Sequence, residues 1–136
     1  MSKLDKALKS AAGNAGGDTA NVEDVFSTYL YDGTGAAQTI TNGIDLAGEG
    51  GMTWIKARND ATNGHFIYDT ERGATNPIFP QSGGATDPRT QGLTAFNSNG
   101  FSVGYYSGEN ANNVDFASWT FRKAPRFFDV VTYTGN

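Results

Sequence analysis

Asp69-Thr70-Glu71-Arg72-Gly73 carries two carboxylates two residues apart, the spacing that puts side chains on one face of a strand. A glycosidase could use such a pair as acid and nucleophile, with the carboxyls roughly 5 to 9 Å apart and one of them kept protonated. Arg72 works against that use, because a neighbouring guanidinium favours the ionised form of both. The motif reads instead as a turn in which a carboxylate holds Arg72. His65 is the single histidine and follows Asn63-Gly64 at a strand start, where a side chain ordinarily faces solvent. With no second histidine and no cysteine, zinc has no ligand set. No G-x-S-x-G elbow accompanies His65, so a Ser-His-Asp hydrolase has no nucleophile in place. Asp45, Glu49, Asp87 and Asp115 lie in or beside expected loops that could offer oxygens to calcium. Their spacing is not that of an EF-hand. The residues therefore assign no catalytic group, no metal and no cofactor.

Tyr105-Tyr106-Ser107-Gly108-Glu109-Asn110-Ala111-Asn112-Asn113 mixes aromatics with amides. Sugars are held by that mix, an aromatic face for the C–H surface and amides for the hydroxyls. Tyr105, Tyr106, Asn110 and Asn112 are the candidate contacts to a glycan or a neighbouring subunit. The competing reading is an edge-strand tyrosine pair followed by a polar turn. Trp54 and Trp119 sit in alternating runs and read as core.

The elements that must position these groups follow from composition and period. The 136 residues suit one domain, and Gly at 18 residues is about twice the average share, which favours tight turns between short strands. Ten basic against 14 acidic residues give a net charge of −4, which disfavours a basic nucleic-acid face. The absence of cysteine excludes a disulfide framework. No apolar run reaches the length of a membrane span or follows Lys3 and Lys6 as a secretory leader would.

From Val25 onward the period is two. Strands are expected over residues 25–31, 39–41, 52–58, 65–68, 93–96, 101–105, 116–122 and 127–132. Asp32-Gly33, Asn42-Gly43 and Asn97-Ser98-Asn99-Gly100 supply turns between them. Residues 76–91, with Pro77, Pro80 and Pro88, form a surface loop. An all-β, two-sheet antiparallel jelly-roll sandwich is the expected fold, over residues 21–127.

Residues 1–20 read differently. Leu4, Ala7, Leu8 and Ala11 recur at helical spacing behind a Ser2/Asp5 cap, and Gly13 and Gly16-Gly17 then make a linker. Two or three turns are marginal alone in water, so such a helix orders only against a partner surface or copies of itself. These four residues are the candidate anchoring and oligomerising contacts of a short N-terminal helical arm. At the other end, Phe128, Tyr133 and Gly135 repeat Phe26, Tyr31 and Gly33 at a constant offset of 102. Residues 128–136 are expected to be a closing strand and the start of a second repeat in a longer chain.

Six stretches in order carry a resemblance: Phe26 to Gly35 (FSTYLYDGTG), Gln38 to Leu46 (QTITNGIDL), Gly51 to Arg58 (GMTWIKAR), Tyr68 to Gly73 (YDTERG), Leu93 to Ser102 (LTAFNSNGFS) and Ala117 to Pro125 (ASWTFRKAP). Together they resemble the concanavalin A-like (LamG-like) jelly-roll domain of marine and cyanobacterial tailed-phage virion proteins, found in tail fibres and head appendages. The resemblance covers about residues 25–136 and leaves out the arm. It implies a non-enzymatic structural protein located on the virion and made in the host cytoplasm. It implies as partners other virion proteins, a tail adaptor or nozzle or the capsid, and a homo-oligomer, a trimer by analogy with phage fibres. Host glycan is a further partner it makes plausible; nucleic acid and membrane insertion are not expected.

Overall fold

The computed structural model describes residues 20–136. The arm expected over residues 2–11, with Leu4, Ala7, Leu8 and Ala11, lies outside the described residues. Seven strands and three single-turn helices follow in order: α1 (Val22–Val25), β1 (Phe26–Asp32), β2 (Gln38–Thr41), α2 (Leu46–Glu49), β3 (Gly51–Ala57), β4 (His65–Asp69), β5 (Leu93–Asn97), β6 (Gly100–Val103), α3 (Ser107–Asn110) and β7 (Asp115–Arg122). They form a four-stranded sheet, β1-β7-β3-β4, and a three-stranded sheet, β2-β6-β5, antiparallel throughout. The expected all-β, two-sheet antiparallel sandwich is what the chain forms. No described helix is long and apolar enough to cross a membrane.

The core lies between the sheets. Tyr31, Ile55, Phe66, Tyr68 and Phe116 come from the larger sheet and meet Ile40, Leu93, Phe101 and Val103 of the smaller, with Ile44 and Leu46 closing one end. Tyr31 stacks on Phe116 at 5.3 Å and meets Phe101 edge-on across the layers at 6.3 Å. Alternation drives this arrangement: in β3 every second residue, Gly51, Thr53, Ile55 and Ala57, is buried. Turn chemistry fixes the ends. Gly100, after the Ser98-Asn99 turn, has φ of 151° and lies so close to β2 that a Cβ would meet the Ile40 carbonyl.

The structure corrects three expectations. Residues 127–132 form no strand; only a single bridge joins Ala124 to Phe128. Arg126, with φ of 64°, turns the chain back so that Phe127 and Phe128 fold onto Phe121. Both edges of β7 are already taken by β1 and β3, so no ladder is left there for Val130 to Thr132. Trp54 and Trp119 are not between the sheets: they lie half-buried on the outward face of the larger sheet, opposite in parity to Ile55 and Phe116. The second apolar set in each strand left the choice of parity open. The 76–91 loop also does more than cover surface, since Ile78 exchanges two backbone hydrogen bonds with Ile67 and closes the β4 edge.

Candidate functional site

The Tyr105 to Asn113 segment divides into a surface part and a buried part. Tyr105 is 65% exposed and Asn112 is exposed, so both remain available to a ligand. Tyr106 is half-buried, edge-on to Phe66, with the Arg89 guanidinium 4.8 Å from its ring centre. Asn110 is fully buried. Its amide donates to the carbonyls of Ala36 (2.6 Å) and Gly104 (2.7 Å) and accepts from the Thr34 N–H (3.0 Å) and Gln38 Nε2 (2.6 Å). Asn110 is thus a clasp between the β1–β2 loop and the end of β6, not a sugar contact. Asn113 sits in the left-handed region at φ 61°, so the amide-rich sequence there is turn chemistry. Of the four expected contacts, only Tyr105 and Asn112 are exposed.

Beside the clasp, Glu109 is also fully buried. One carboxyl oxygen accepts from the Tyr68 hydroxyl, and Oε2 has no protein partner. Tyr31 donates to the Glu109 carbonyl at 2.7 Å. Burial pushes the Glu109 carboxyl up to about 7, against the smaller opposing pulls of the Tyr68 hydrogen bond and the Arg89 charge. Burial, followed by the Glu109 charge, raises both Tyr68 and Tyr31 well above the ordinary phenol range. Gly92 is needed here: a Cβ would collide with the Tyr68 hydroxyl and the Glu109 carboxyl. Sequence reasoning missed this acid, and an isolated Glu in a polar turn carries no signal that it is buried.

The other charged candidates are engaged in structure. Strand β4 ends at Asp69, so Asp69 and Glu71 do not share a strand face. Asp69 takes the Arg72 Nε at 2.6 Å and the Arg72 N–H at 2.8 Å, the turn ion pair expected from sequence. Glu71 turns to Lys123 at 2.6 Å instead. Asp45 caps α2 by accepting from Gly48 N–H at 2.8 Å, and Asp87 pairs with Arg89 at 2.9 Å. Among the described residues no three His, Cys, Asp or Glu gather into a set that could hold a metal. His65 is half-buried rather than free in solvent, with Nδ1 accepting from Trp54 Nε1 at 3.0 Å. That bond fixes the neutral ring as the Nε2–H tautomer.

His65 belongs to the most distinctive surface of the domain. Register across β1-β7-β3-β4 places three rows on the outward face: Phe26, Phe121, Met52, Asp69; then Thr28, Trp119, Trp54, Ile67; then Leu30, Ala117, Lys56, His65. Trp54 and Trp119 meet edge-on at 5.8 Å, and Phe26 lies 4.9 Å from Phe121. Lys56 is held down by the carbonyls of Ala57 and Asn63 at 2.9 and 2.7 Å. This surface is built on paired strands and carries aromatic bulk at its centre.

Fold and surface together define a β-sandwich with an aromatic outer sheet face. The chain belongs to the family described as Domain of unknown function (DUF7483), whose model matches residues 21–136. The match leaves out residues 1–20. Neither the curated proteins nor the solved structures give a match.

Proposed function

We propose that the chain is a non-enzymatic structural protein of a phage virion, the proximal, particle-attached part of a tail fibre or similar appendage. The observation that carries a contact role is the aromatic outward face of the larger sheet, with Trp54 and Trp119 at its centre. Soluble monomers rarely leave contiguous apolar surface of this kind without a partner. The engagement of Asp69, Glu71 and Asp87 in ion pairs supports a scaffold over a reaction centre. The virion assignment itself rests on the six ordered motifs from Phe26 to Pro125 and on the family they resemble. Capsid decoration is the neighbouring reading within the same class.

Immunogold electron microscopy of purified phage, with antibody against residues 21–136, tests the assignment. Gold at the tail is the expected result. Gold over the head would make this a decoration or head-appendage protein, and unlabelled particles would overturn the virion reading.

A carbohydrate-contact role is a second reading, favoured by the exposure of Tyr105 beside an amide-bearing turn. If it holds, glycan-array binding by the full chain is lost in Tyr105→Ala and kept in Tyr106→Phe, because Tyr106 serves packing. Equal binding by the Tyr105→Ala chain would remove the sugar role from this loop.

A further inference from the structure

The outward face of the larger sheet divides by charge along its midline. On β1 and β7 its charged residues are Asp32 and Asp115, set directly opposite each other. On β3 and β4 they are Lys56 and, at the other end, Asp69, with His65 beside Lys56. Arg58, one residue past β3, keeps the outward parity, since its N–H continues the ladder to the Asp115 carbonyl at 2.7 Å. Asp69 is already paired with Arg72, and Lys123, past the end of β7, with Glu71, both at 2.6 Å. Lys56 is answered in part by Asp60 nearby. Asp32, Asp115 and Arg58 have no ion-pair partner among the described residues, although Arg58 and Asp115 are neighbours across the sheet. Like charges in directly opposed positions cost stability, so a cation brought to Asp32 and Asp115 would stabilise them. One half of the face is left acidic and the other basic, and Trp119 and Trp54 meet at the boundary. Along β7 the outward set, Ala117, Trp119 and Phe121, is also more apolar than the inward Phe116, Ser118 and Thr120, the pattern of a strand covered on both sides.

We propose that this face packs on the same face of a second copy of the chain, about a two-fold axis that runs parallel to the strands between β7 and β3. An isologous contact needs a surface complementary to itself, in which one residue meets a second and the second meets the first. A face of single sign fails that condition, and a face split into acidic and basic halves meets it. The charges also choose the axis. A two-fold across the strands would keep each column and reverse the rows, laying Asp32 and Asp115 on Phe26 and Phe121, where burial of a carboxylate is costly. A two-fold along the strands keeps the rows and exchanges the columns, β1 over β4 and β7 over β3. Asp115 then faces Arg58 of the second copy, once on each side of the axis, and Asp32 lies over the His65 end of β4. Trp119 faces Trp54 of the second copy, and Phe121 faces Met52, so the indoles of both copies meet at the axis. Sheets stacked in this way lie about 10 Å apart with their strands within about 30° of each other. The aromatic centre supplies the apolar contact, and the ion pairs at its rim fix the orientation.

The proposal rests on the contact role given to this face above, but not on the virion assignment, which immunogold labelling tests separately. Sedimentation velocity of the full chain over a range of concentrations is compared with two charge reversals, Asp115→Arg and Arg58→Asp. The parent is expected to sediment as a dimer that dissociates on dilution. Either variant alone sets like charges across the axis and should dimerise at least about tenfold more weakly. Mixing the two variants in equal amounts should restore pairing to the parent's strength, because each chain then offers the charge that the other lacks. That recovery also shows that both variants are folded. Trp54 and Trp119 are the only tryptophans and both lie at the axis, so emission should move to longer wavelength as the parent dissociates. A parent that is monomeric at every concentration would overturn the proposal, and so would a trimer, because a two-fold contact closes on two copies. Variants that pair as the parent does, or a mixture no stronger than either variant alone, would overturn it as well.

Discussion

Asn110→Ala is expected to lower the unfolding free energy by about 3 kcal/mol, enough to cut the melting temperature by about 10 °C. All four hydrogen-bonding positions of the amide are in use, on two carbonyls, one N–H and the Gln38 amide. Removing the side chain leaves the buried Gly104 carbonyl without that donor and opens a cavity where the β1–β2 loop meets β6. Asn110→Asp should cost at least as much, because a carboxylate would face the Ala36 and Gly104 carbonyls with no proton to give them. Chemical denaturation of both variants checks this. A midpoint unchanged from the parent would mean that the clasp is dispensable and that water replaces it.

The second large effect is a pH dependence set by Glu109. Burial raises its carboxyl to about 7 from an ordinary 4.5, so the folded chain holds this proton more tightly than the unfolded one. Its contribution to stability is fully present below about pH 4.5 and is lost as the pH climbs to about 7. Above that the carboxylate is ionised in both states and the contribution stays flat. The loss across this window is on the order of 3 kcal/mol. Glu109→Gln carries no titrating group there, so its stability should change less between pH 5 and pH 8 than the parent's. The test is the slope of unfolding free energy against pH, not its absolute level, since a buried amide also needs partners. Parallel slopes in the two chains would show that Glu109 does not set the dependence.

Much of the fold can be read from the period of two. Runs such as Gly51 to Ala57 and Phe116 to Phe121 announce strands because alternate side chains must face opposite sides of a sheet. The turn residues mark the hairpin at Ser98-Asn99, and the Asp69–Arg72 pair is local enough to be seen in five residues. Residues 127–132 mislead because β-rich composition is not a ladder: a strand exists only where a neighbour supplies hydrogen bonds. The Tyr105 to Asn113 segment misleads in a different way. Its aromatic-and-amide content is the same whether the amides meet a sugar or the chain's own carbonyls, and Asn110 meets the carbonyls.

By itself the sequence determined the class of fold and the turns, because these depend on local period and on Gly, Asn and Pro backbone preferences. Which parity of β3 and β7 faces the core was decided only in three dimensions, where the smaller sheet packs against Ile55 and Phe116 and leaves Trp54 and Trp119 outside. The burial of Glu109 and Asn110 was likewise a tertiary outcome. Their partners Tyr31, Tyr68, Thr34 and Gln38 lie between 41 and 78 residues away, and no local pattern encodes contacts that form when distant strands close on a shared core.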